Sequence, residues 1–309
     1  MFLIRHPRLI LYSTSVDMEK SDIFNVVFLF ILNIFFLVAG IFFNSVVIIS
    51  LWRLRQLRKK LCYFVILVLS CFDVAVVAIT HPFLITSTIY YCLEDVNEIR
   101  EYIRKFLSFI LYGFSMSALL ILNVERYLAL TCPFFHQASI TKRRLLYAQV
   151  LFIVATGILP MVHFKDQTVG NILIAVFQSL LLVLFISSNY RLFLIANSKL
   201  GDERAAPIAA TSAGNDNRNT RILNLKNIST CSLAIGCFFA CSCPQMVYSV
   251  LRFVLEVQPY DRQIWLFNLW SSTFLSMNST FNCLIFFWRN SILRREGKKF
   301  IDAFQRHFN

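Results

Sequence analysis

The chain has 309 residues, 57% of them hydrophobic and 15% charged, with a mean hydropathy of +0.63 and a formal net charge of +13. Soluble domains carry about a quarter charged residues and somewhat under half apolar ones. Here the apolar excess is gathered into seven long runs, which excludes a soluble enzyme, a disordered chain and a disulfide-stapled secreted domain.

Residues 1–23 form a short N-terminal tail. Its apolar stretch is broken by Arg5, His6, Pro7 and Arg8 and offers no small-residue cleavage site, so it does not read as a signal peptide. Met18 is an alternative start. The runs follow at 24–52, 61–91, 106–124, 145–164, 167–190, 227–251 and 263–288. A helix needs roughly 20 apolar residues to cross a bilayer core of about 30 Å, and lipid offers its backbone no other partners. The expectation is an all-α membrane protein, a seven-transmembrane helix bundle over 24–288. The alternating polarity of a membrane barrel is absent. So is any internal repeat of the kind many transporters carry.

With the N-terminus outside, the inner segments hold 21 Lys and Arg against 9 in the outer ones. That bias sets the orientation by the positive-inside rule. It also places the basic excess beside the anionic inner leaflet rather than against a nucleic acid. The sequons at Asn227 and Asn278 then fall at an inner helix end and within a span, beyond lumenal glycosylation. The one long connection, 198–224, is rich in Ala, Asn, Thr and charge and reads as a mobile cytoplasmic linker. Residues 289–309 interleave Ile292, Leu293, Phe300, Ile301 and Phe304 with basic residues, as an amphipathic helix on the membrane surface would.

Ionisable groups inside a span are costly and mark functional candidates. Asp73, in the middle of the second span, is the clearest. Asn278, Ser279 and Asn282 in the seventh span offer oxygen atoms, as do Ser115 and Ser117 in the third and Asn44 in the first. One acid among neutral oxygens can hold a small cation or waters. It can equally serve as a hydrogen-bond network between helices, worth about 0.6–2 kcal/mol per contact. Glu125-Arg126-Tyr127 closes the inner end of the third span, and Pro244 interrupts the sixth, where it removes a backbone hydrogen bond. The outer acids Glu94, Asp95, Glu98 and Glu101 are offset by Arg100, Arg104 and Lys105 and read as a solvated loop.

In this order and spacing, the residues resemble the rhodopsin-like family of G-protein-coupled receptors from about residue 30 to 304. The resemblance rests on G-x-x-x-N at Gly40–Asn44, L-x-x-x-D at Leu69–Asp73, and Ser115 followed by Glu125-Arg126-Tyr127 and Pro133. C-x-x-P at Cys241–Pro244 and N-S-x-x-N-C-L-I-F at Asn278–Phe286 complete it. It implies a plasma-membrane receptor that binds an extracellular ligand and activates a heterotrimeric G protein through outward movement of the sixth helix. Glu125 would hold Arg126 at rest and Pro244 would be the hinge. Asp73, Ser115, Asn278, Ser279 and Asn282 match the family's sodium pocket. Counting outward from the motifs, the resemblance places Ser108, Phe109, Tyr112, Ser242, Gln245, Met246, Ser249, Ser272 and Ser276 around a ligand cavity. Aromatic rings with hydroxyls and one amide suit a small neutral or lipid-like molecule.

The departures are specific. Glu101 stands where the family has its disulfide cysteine, Ser242 where it has Trp, Cys283 where it has Pro, and Phe286 where it has Tyr. Ser108 replaces the Asp of amine receptors, which disfavours a charged-amine agonist, and the seventh span has no Lys to hold retinal. The alternative is a small ion channel or transporter using Asp73 and the seventh-span amides as an ion path. No HExxH motif or nucleophile–base pairing points to an enzyme.

Overall fold

A computed structural model describes residues 20–94, 97–165, 214–255 and 261–308, with parts of 169–195. Among the described residues the chain is helical, with no strand. The helices are α1 (Lys20–Arg53), α2 (Arg55–Lys59), α3 (Leu61–Cys92), α4 (Glu98–Thr131), α5 (Pro133–Ser139) and α6 (Lys142–Lys165). They continue with α7 (Ser179–Ser188), α8 (Gly214–Leu255), α9 (Arg262–Arg289) and α10 (Ser291–Phe308).

Four of them contain stretches long and apolar enough to cross a bilayer: Asp22–Arg53, Leu61–Cys92, Ile99–Thr131 and Ser232–Arg252. Phe24, Ile31, Phe35 and Val38 of α1 and Leu151 of α6 are exposed, whereas Asn44, Asp73, Ser115, Asn268 and Asn282 are buried. Apolar outside and polar inside is the arrangement of a membrane-embedded protein, where lipid replaces water around the helices.

α3 lies at the centre, packed on α1, α4 and α9; α4 also meets α6, and α8 packs on α9. Local chemistry sets the ends. Asn97 caps α4 by accepting from Arg100 N at 3.1 Å, and Asp261 caps α9 by accepting from Gln263 N at 3.1 Å. Pro133 opens α5, where its missing N–H costs nothing. At the α9–α10 joint, Asn290 Oδ1 accepts from Ile292 N at 3.0 Å and its amide donates to Tyr63 Oη at 2.9 Å.

The two largest boundary differences from the sequence reading are the starts of α4 and α8. α4 starts outward of its apolar run because Glu101 and Arg104 pair with each other inside the fold. α8 begins at Gly214, so residues 214–224 of the expected linker are helical; the rest, 198–213, lies outside the described residues.

Gly40 marks a close approach of α1 to α3 and α9. A Cβ there would stand 2.6 Å from Thr280 Oγ1 and 2.8 Å from a Val77 methyl. Gly40→Leu is therefore expected to lower stability by about 1–3 kcal/mol through overpacking, or more if α1 must move. Thermal unfolding of detergent-solubilised protein measures this; an unchanged midpoint would show that the helices are less tightly seated.

Candidate functional site

Three polar centres lie along the inner faces of α3, α4, α8 and α9. Near the C-terminal end of α4, the Glu125 carboxylate has no exposed side-chain surface. It accepts from Arg126 Nε at 2.5 Å and Nη2 at 2.6 Å, and lies 3.0 Å from His136 Nε2 of α5. Tyr127 is half-buried beside them. His136 had no motif to mark it; the turn that starts α5 at Pro133 brings it back under α4.

The middle centre joins four helices, α1, α3, α4 and α9. Ser115 Oγ donates to Asp73 Oδ1 at 2.6 Å, and Asn282 Nδ2 lies 3.5 Å from Asp73 Oδ2. Asn44 of α1 donates to Ser279 O at 3.3 Å. The Ser279 hydroxyl reaches Asp73, and Asn44 Oδ1, Asn278 Oδ1 and Asn282 Oδ1 are buried without a hydrogen-bond partner. Such oxygens are what a hard cation or ordered waters would satisfy. Cys283 and Phe286 are buried on the same helix, the Cys283 thiol within electrostatic reach of Asp73. Ser117 does not belong to it: it receives Gln149 Nε2 at 2.6 Å and ties α4 to α6.

From Asp73 toward the N-terminal end of α4, a cavity of about 70 Å³ lies between α4, α6, α7, α8 and α9. Phe109, Tyr112, Ser242, Gln245 and Met246 line it, as the counting from motifs expects. Ser108, Ser249, Ser272 and Ser276 do not. Ser249 is exposed and donates to its own helix at Gln245 O, 2.9 Å. Ser276 bonds the Tyr112 hydroxyl behind the wall, and Ser272 lies 3.5 Å from Gln245 Oε1. Ser108 is half-buried away from the opening. The remaining walls are apolar, among them Met116, Phe177, Leu181, Phe238 and Phe239. Sequence reasoning missed Phe177 and Leu181 because no motif in the fifth run sets its rotation. Pro244 sits within α8, two residues from Ser242.

Two further buried polar groups were not legible. Glu101 and Arg104, expected in a solvated loop, are 5% and 2% exposed. Arg104 Nε and Nη2 donate to Glu101 Oε2 at 3.0 and 2.9 Å, while Ser87 Oγ donates to Oε1 at 2.8 Å. Between α1, α3 and α9, Asn33 donates to Leu29 O and Thr273 Oγ1, which turns its carbonyl oxygen to His81 Nδ1 at 2.7 Å. The His81 proton therefore sits on Nδ1, and Nε2 is a buried acceptor with no partner. At the rim, Arg262 pairs with Asp22 at 2.9 Å and Glu94 at 3.7 Å, joining α9 to α1 and to the end of α3. Cys92 is free, as are the other described cysteines.

No protein-family model matches the chain, and no curated protein shows significant similarity to it.

Proposed function

We propose that this protein is a G-protein-coupled receptor: it takes a small neutral or lipid-like ligand from outside and activates a heterotrimeric G protein at its inner face, as a seven-helix bundle. The observation that carries the reading is the stacking of three centres on α4. Phe109 and Tyr112 face the outer cavity, Ser115 holds Asp73, and Glu125 holds Arg126. A ligand that displaces α8 against α4 changes the cavity and acts on the helix that carries the inner mouth, because Phe109 and Glu125 stand on the same α4. Pro244 lowers the cost of bending α8 by removing one of its hydrogen bonds. Binding then shifts a pre-existing closed–open equilibrium in proportion to its preference for the open form.

Asp73, Ser115, Asn278, Ser279 and Asn282 would hold a sodium ion. The fit lies in the donor set, one carboxylate with neutral oxygens, of which those of Asn278 and Asn282 have no other partner. The ion would neutralise Asp73, while Asn282 would hold the carboxylate toward α9.

The test is ligand-free recruitment of a panel of labelled G proteins in cells, at matched surface expression. Wild-type recruitment that disappears in Arg126→Ala supports the receptor. Ion flux that disappears in Asp73→Asn, with no recruitment by any variant, replaces it with the channel reading.

A further inference from the structure

Two of the helices that line the cavity, α4 and α8, each carry a cation beyond their lining residues. On α4, Lys105 lies one helical turn outward of Phe109, and residues four apart share a helix face. On α8, Arg252 lies two turns outward of Gln245, on the face that also carries Tyr248. Lys105 is within electrostatic reach of Arg104, Glu101 and Arg252. Tyr248, 5% exposed, lies within reach of the same Arg252, Arg104 and Glu101, its hydroxyl beside the Arg252 guanidinium.

The single carboxylate of this group is already committed. Glu101 Oε2 receives two Arg104 nitrogens and Oε1 receives Ser87. Among the described residues, neither Lys105 nor Arg252 has a carboxylate within 4.0 Å. Arg104 extends the positive field toward the cavity, since its Nη1 lies 3.4 Å from Ser272 Oγ and Ser272 meets Gln245. Three cations to one anion beside apolar walls is a costly arrangement until a further anion arrives.

We propose that the ligand of this cavity is an amphiphilic carboxylate. Its apolar body lies between Phe109, Phe238 and Phe239. Its carboxylate points outward, toward Lys105 and Arg252, where the Tyr248 hydroxyl can donate to it. Charge-assisted hydrogen bonds of this kind are roughly twice as strong as neutral ones. The inference deepens the receptor reading by naming a ligand class, but its test is binding and does not depend on coupling.

The full chain in phosphatidylcholine nanodiscs is unfolded thermally at near-neutral pH with decanoate, decanol or decylamine. Decanoate is expected to raise the midpoint at a concentration about tenfold below that needed for decanol, a difference of about 1.4 kcal/mol, and decylamine to have no effect. Lys105→Gln and Arg252→Gln each weaken the decanoate response several-fold and leave that to decanol unchanged; Lys105→Arg retains it. Equal responses to decanoate and decanol, a decanoate response that survives in the Lys105→Gln/Arg252→Gln double variant, or no response to any probe overturns the proposal. Decanoate binding without G-protein recruitment would instead leave this inference standing and remove the receptor reading.

Discussion

Glu125→Gln raises ligand-free G-protein recruitment by about tenfold at matched surface expression. The Glu125 carboxylate is wholly buried and collects both Arg126 donors and His136. Removing one partner of a fully buried pair costs about 3–5 kcal/mol. Arg126 and His136 keep 13% and 16% of their side chains exposed, so water recovers part of that loss. Roughly 1–2 kcal/mol of closed-state preference remains to be lost, and 1.4 kcal/mol is a factor of ten in the equilibrium. His136→Gln keeps a hydrogen-bonding side chain and should give a smaller rise. Recruitment unchanged in Glu125→Gln would mean that this pair does not hold the inner mouth shut.

Arg104→Leu lowers the stability of the fold by about 3–5 kcal/mol, because it leaves the Glu101 carboxylate buried with only the Ser87 hydroxyl. Glu101→Gln/Arg104→Gln should recover most of the loss. A buried pair contributes little net stability, since its attraction is offset by the desolvation of both charges. Thermal unfolding of the two variants beside wild type separates these effects. Equal destabilisation of both would show that shape, rather than charge, is what α3 and α4 require here. The pair occupies the outer end of α4, where the resembled family ties its fold covalently; in this chain Arg104 bridges Glu101 to Ser272 of α9 instead.

The sequence located the elements well where a run of apolar residues met a charged break. The C-terminal end of α3 and both ends of α9 lie within one residue of the expected limits, because a Cys-Leu-Glu or Arg-Asn step ends the run in the primary structure itself. It was weakest where charge is buried. The run at 106–124 understated α4, since a rule that removes charged residues from a span cannot anticipate that Glu101 and Arg104 cancel one another. Asp73 with Ser115 and Asn282 was legible because motif spacing sets helix rotation, and rotation decides which side chains meet. Ser117, two residues from Ser115, points to α6 for the same reason: about 100° per residue carries it off that face.

By itself, then, the sequence determined that the chain is helical, that long apolar helices must meet lipid, and that an acid lies among them. These follow from composition and period, which need no knowledge of neighbours. Only the tertiary structure decided that His136 joins Glu125, that Asn33 orients His81, and that four of the expected cavity serines lie behind or outside the wall. Each of those depends on the relative rotation and depth of two helices far apart in the chain. In lipid that choice is made by close packing and by which buried polar groups find partners, not by the hydrophobicity that makes the helices recognisable.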